Sequence, residues 1–96
     1  MLSNQEIEAK LQHLVGWSYS AQKKCIHKEF TFKDFIQTFS FMTQVAIFSE
    51  KNNHHPEWKN VYNKLWVELS THDFSGVTQK DFDLASFINE KAWEIR

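Results

Sequence analysis

The chain has 96 residues and a formal net charge of −1; 24% of its residues are charged and 16% aromatic, including nine Phe and four Trp. A chain this short is expected to form one domain, residues 1–96, and to bury about two-thirds of its unfolded surface, so some apolar surface should lie against a second subunit. It has no run of about five or six basic residues, no apolar stretch long enough to span a bilayer, and an acidic start where a secretory signal needs basic and then apolar residues; direct nucleic-acid binding, membrane insertion and secretion are therefore not expected.

The first element is announced by Ser3-Asn4-Gln5-Glu6, a capping box, with Leu2 and Ile7 placed for the flanking hydrophobic staple. A helix is predicted from Asn4, with Ile7, Leu11 and Leu14 on one face and Gly16 as its end. Residues 17–20 and 24–31 then read as two strands around the polar turn Ala21-Gln22-Lys23. The charges of Lys23, Lys24, Lys28 and Glu29 point to an exposed or edge position for this hairpin. Cys25 lacks a partner for a disulfide or a thiolate metal site, which suits a reducing cytoplasm, and no base pattern marks it as an activated thiol.

From residue 32 to about 52 the apolar period becomes helical. Phe32, Phe35, Ile36, Phe39, Met42, Thr43 and Ala46 share one face, expected to cover the sheet. Phe41, Val45 and Phe48 share a second face, expected to meet another helix or subunit. Asn52 and Asn53 end this helix and lead into His54-His55-Pro56, where the proline biases His55 to an extended backbone.

Residues 58–62 and 65–69 read as a second hairpin about Asn63-Lys64. With the turn centred there, Trp58 opposes Leu69 and His55 opposes His72. After a loop containing Gly76, Thr78-Gln79-Lys80-Asp81 is another capping box. It opens a last helix with the stripe Phe82, Ala85, Ile88, Ala92 and Ile95, from which Trp93 is displaced. The succession predicts an α+β fold: a four-stranded antiparallel sheet with three helices packed on one face.

Three imidazoles, His54, His55 and His72, thus gather at one sheet end, near the carboxylates Glu50, Asp73 and Asp81. Imidazole gives and takes protons near neutrality, so the group suits a reaction whose bond breaking is all proton transfer. Adjacent residues on an extended backbone point to opposite faces, so His54 and His55 are poorly placed to chelate one ion, and no metal is expected.

The run Glu50-Lys51-x-Asn53-His54-His55-Pro56-x-Trp58, followed by Val61-Tyr62-Asn63-Lys64, Ser70-Thr71-His72, Gly76 and Asp81, resembles the pterin-4a-carbinolamine dehydratase family. Its vertebrate members double as dimerisation cofactors of a homeodomain transcription factor. The match covers most of the chain and weakens before Gly16-Trp17. It implies the same α+β sandwich with a concave open sheet face, a metal-free site without a cofactor, and dehydration of 4a-hydroxytetrahydropterin to quinonoid dihydropterin. That step recycles the cofactor of aromatic amino-acid hydroxylases.

On this resemblance the catalytic candidates are His54, His55 and His72, with Glu50 orienting a histidine. Pro56, Trp58, Ser70, Thr71, Asp81 and Trp17 are candidates for holding the pterin. Three of these have ordinary explanations: Asp81 as a helix cap, and Trp17 and Trp58 as core. A competing function is an oligomeric protein-binding module acting as a transcriptional coactivator, and a role in molybdenum cofactor metabolism is also compatible. The intact histidine set favours catalysis.

Overall fold

A computed structural model describes residues 1–95. In chain order it contains α1 (Asn4–Leu11), β1 (Ser18–Ser20), β2 (Cys25–Thr31), α2 (Phe35–Lys51), β3 (Glu57–Val61), β4 (Lys64–Leu69), a 3-10 turn at His72–Phe74 and α3 (Gln79–Ile95). The four strands pair antiparallel in the order β1-β2-β4-β3, which is the α+β architecture read from the sequence.

Both halves of the first capping box form: the Ser3 amide donates to Glu6 Oε1 at 2.9 Å and the Glu6 amide to Ser3 Oγ at 3.1 Å. The helix is shorter than predicted. It stops at Leu11, and the amides of Gln12, His13 and Leu14 turn to carbonyls three residues back before Gly16 reverses the chain with φ 85°. A Cβ there would also stand 2.7 Å from Lys28 Cε, so the tip of that lysine would have to move aside.

Period-2 alternation divides the sheet into two faces. Ile26, Phe30, Leu65, Val67 and Leu69 are buried on the core face, while His27, Glu29, Trp66 and Glu68 share the other. β2 lies inside the sheet, between β1 and β4, which corrects the edge position its charges suggested. Those charges are accommodated locally. Glu29 stands on the open face, and Lys28 threads its amine past Gly16 to donate to the Val15 carbonyl at 3.0 Å and Asn89 Oδ1 at 2.9 Å. Burial lowers the pKa of that amine.

The two faces of α2 are exchanged relative to expectation only in part, since Met42 still packs on the core and Phe48 meets another helix as expected. Phe41 and Val45 are fully buried in the chain's own core, and Phe48 stacks on Phe87 of α3 with ring centroids 3.9 Å apart. On the supposed sheet-covering face, Phe35, Ile36 and Phe39 are exposed, and Ile47 with them. The buried stripe is Thr38-Phe41-Val45-Ser49, spaced at helical intervals but polar at both ends. Thr38 satisfies its hydroxyl by donating to the Asp34 carbonyl at 2.7 Å. Among the described residues no helix is long and apolar enough to cross a membrane.

Two tests follow from this packing. Phe41→Ala should cost about 3–5 kcal/mol in denaturant unfolding, as a large ring lost from a closed core does; a loss near zero would mean that α2 packs by its other face. Burial, helped by Glu68, raises the Cys25 thiol from 9.0 to about 11. A folded-state pKa raised in this way contributes stability below pH 9.0 that is lost as pH climbs towards about 11. At pH 8 only roughly one thiol in a thousand is ionised, so iodoacetamide should label the folded chain far more slowly than the unfolded one. Equal labelling rates would contradict the assignment.

Candidate active site

The second hairpin sets the geometry. Its register runs from Glu57↔Glu68 to Val61↔Lys64, so the turn is Tyr62-Asn63, one residue before the predicted turn, and every cross-strand partner shifts by two. The side-chain amide of Asn60 clamps the turn by donating to the Tyr62 and Lys64 carbonyls at 3.1 and 2.8 Å. Asn63 ties it to β2, accepting from the Phe32 amide at 2.8 Å and donating through Nδ2 to the Phe32 carbonyl at 3.0 Å. Trp58 therefore opposes Val67, not Leu69. His72 does not face His55 across a ladder; it lies in the 3-10 turn beyond β4. A shift of two residues keeps every side chain on its expected face.

The adjacent histidines are placed by the end of α2. Asn53 adopts a left-handed φ of 50°. Its amide donates to the Glu50 carbonyl at 3.3 Å, and the His54 amide donates to the Ser49 carbonyl at 3.0 Å. These two bonds form a Schellman motif, which turns the chain off the helix at His54. Pro56 then carries it into β3.

Asp81, at the third position of α3, is fully buried. Its Oδ2 accepts from the Thr78 amide and from Thr71 Oγ1, each at 2.9 Å, and its Oδ1 lies 2.6 Å from His54 Nε2. The carboxylate is both a helix cap and the partner of His54, so the two explanations of Asp81 hold together. His55 Nε2 lies 2.9 Å from Glu50 Oε1, but this pair is open to water, with side chains 54% and 84% exposed. It contributes under about 1 kcal/mol to stability.

His54, His55 and His72 line one cleft of about 440 Å³, together with Pro56, Ser70 and Thr71. Its walls also include Asn53, Glu57, Glu68, Asp73 and Lys80. The sequence reading selected none of these five for the site, although Asn53 sits at a helix end where a left-handed residue is common. Glu57 and Glu68 oppose each other across β3 and β4, an unfavourable like-charge pair that Lys23 relieves at 3.1 Å from Glu68. That contact raises the pKa of Lys23.

Two candidates lie elsewhere. Trp17 is buried in the core, edge-on to Phe30 at 6.4 Å, with Nε1 donating to Asn89 Oδ1 at 2.9 Å. Trp58 faces the core side of the sheet opposite Val67 and packs against the buried cluster. Neither lines the cleft.

A family profile described as pterin 4 alpha carbinolamine dehydratase matches residues 1–91. A protein of Rhodopseudomonas palustris (strain BisB18), provisionally named a pterin-4-alpha-carbinolamine dehydratase, is 45% identical over 94 residues, 98% of this chain and 93% of its own. One from Christiangramia forsetii with the same provisional name is 48% identical over 89 residues, 93% of this chain and 90% of its own. The crystal structure of a transcriptional coactivator/pterin dehydratase from Brucella melitensis superposes with a TM-score of 0.92 at 42% identity, covering 95% of this chain and 97% of that one. A pterin dehydratase-like protein identified as a RuBisCO assembly factor in the alpha-carboxysome has a TM-score of 0.70 at 20% identity, a likeness of fold alone. These matches support a dehydratase role. By a profile spanning residues 1–91 and relatives at 45% and 48% identity, the chain belongs to the pterin-4-alpha-carbinolamine dehydratase family.

Proposed function

We propose that the chain dehydrates 4a-hydroxytetrahydrobiopterin to quinonoid dihydropterin by histidine acid/base catalysis, recycling the pterin cofactor of aromatic amino-acid hydroxylases in the cytoplasm. The observation that carries this reading is the convergence of His54, His55 and His72 on one cleft of about 440 Å³, a size suited to a flat bicyclic ligand.

In the reaction the bond from C4a to its hydroxyl breaks, the hydroxyl takes up a proton and leaves as water, and a ring nitrogen gives up a proton. One proton enters and one departs, without oxidation. His55 and His72 serve as acid and base around the 4a-hydroxyl. His54, braced from behind by Asp81, positions the ring or takes part in the second proton transfer, and Glu50 orients His55. Pro56, Ser70 and Thr71 supply the surrounding wall.

The exposed face of α2 supports a homo-oligomer. Ile36 is 76% and Ile47 65% exposed there, and Phe35 and Phe39 pack against each other with centroids 5.7 Å apart, an apolar surface that a second copy would cover. The same face is the observation that favours the alternative function, a protein-binding module acting as a transcriptional coactivator.

The decay of enzymatically generated 4a-carbinolamine, followed with and without the protein, separates catalyst from scaffold. His55→Ala and His72→Ala should each slow dehydration by about 10²–10⁴-fold while the fold is retained. Unaltered rates in both variants would remove these residues from the mechanism. Light scattering should give a mass above that of one chain; a strict monomer would dismiss the α2 interface.

A further inference from the structure

We propose that Thr78 and Thr71 act as positioning residues: their hydroxyls form a one-way hydrogen-bond chain that fixes Asp81 as an acceptor and so holds His54 with its proton on Nε2 and its bare Nδ1 free for the ligand. This rests on the dehydratase reading only for its effect on rate. The chain's directions follow from counting protons. Thr71 Oγ1 donates its single proton to Asp81 Oδ2 at 2.9 Å. It also lies 2.7 Å from Thr78 Oγ1, and with its own proton committed it must accept there, so Thr78 is the donor. Thr78 Oγ1 in turn accepts from the Lys80 amide at 3.3 Å. Every bond thus points towards the carboxylate, which also receives the Thr78 amide at 2.9 Å.

An ionised carboxylate has no proton to give. In the proposed arrangement Asp81 is ionised, so with Oδ2 occupied by two donors Oδ1 accepts from His54 Nε2 at 2.6 Å and that nitrogen carries the hydrogen. In the neutral ring the lone pair then sits on Nδ1, since the bond made by one ring nitrogen determines the state of the other. The acceptor end of the arrangement is closed to water: Asp81 is 0% and Thr71 6% exposed. The same logic does not reach His55, whose partner Glu50 is 84% exposed and stands outside any such chain. Thr71 was expected among the groups holding the pterin; here its hydroxyl proton points away from the cleft, into the protein.

The test combines ring nitrogen-15 spectra of His54 in the free protein with kinetics. Wild-type chain should show Nε2 protonated and Nδ1 unprotonated. Thr71→Val keeps the side-chain shape and removes the donor, so it should mix the two ring signals and lower kcat about 10- to 100-fold, with KM within about twofold. Thr71→Ser, which restores the hydroxyl, should recover both readouts. Thr78→Ala should show the same changes in smaller measure. A wild-type ring protonated on Nδ1 overturns the proposal whatever the variants do, as does a folded Thr71→Val chain with wild-type kcat and ring signals. A wild-type chain inactive on the carbinolamine would instead defeat the function proposed above, leaving the ring spectra to decide this point.

Discussion

A carboxylate removed from water survives as an anion only where protein donors replace the lost solvent. Asp81 meets that condition with groups from three parts of the chain: the α2–β3 connection through His54, the segment after β4 through Thr71, and its own helix start through Thr78. Its partners lie 27, 10 and 3 residues away in sequence, so the site forms only when the sheet, the end of α2 and the start of α3 are docked together. Leaving any of these donors unmade would strand buried charge, which makes the arrangement one that the fold has strong reason to keep.

The ends of two helices explain why the polar cluster sits where it does. α3 begins at the cluster, and the positive end of its dipole favours the Asp81 anion. α2 finishes beside it, with its last carbonyls taken by Asn53 and His54. Glu50, in the last turn of α2, is badly placed for that helix's dipole. Its contact with His55 supplies a reason for a carboxylate there, one that concerns the site more than stability.

Local chemistry was legible in the sequence wherever a short motif determines it. Ser3 to Glu6 and Thr78 to Asp81 announced the starts of α1 and α3, and the alternation in residues 65–69 announced the face that β4 buries. What local patterns could not supply was arbitration between competing partners. The pairing of the second hairpin shifted by two residues, and its turn by one, because Asn63 finds the end of β2, 31 positions earlier, and no feature of the hairpin itself encodes that bond. Trp17 favoured the core but kept a place among the pterin-holding candidates, and its core position comes with a bond from its indole to Asn89, 72 residues away. The histidines were placed near one another for a partly mistaken reason: His54 and His55 depend on a Schellman turn, and His72 on a 3-10 turn, not on a cross-strand pair.

The partial exchange of faces on α2 has a different cause, and it connects assembly to the site. Apolar residues cover more of this helix than one layer of core can absorb, so periodicity alone offers two solutions. The buried solution has Thr38 and Ser49 at its ends, and it leaves Ile36, Phe39 and Ile47 outside. Ser49 belongs to that stripe, and its carbonyl receives the amide of His54. The rotation of α2 that buries Phe41 and Val45 is therefore the rotation that delivers His54 to Asp81. Turning the helix to bury its other face would carry the Schellman end, and both histidines behind it, away from the carboxylate. In the proposed reading, the surface left over for a second copy is a consequence of the orientation that the site requires.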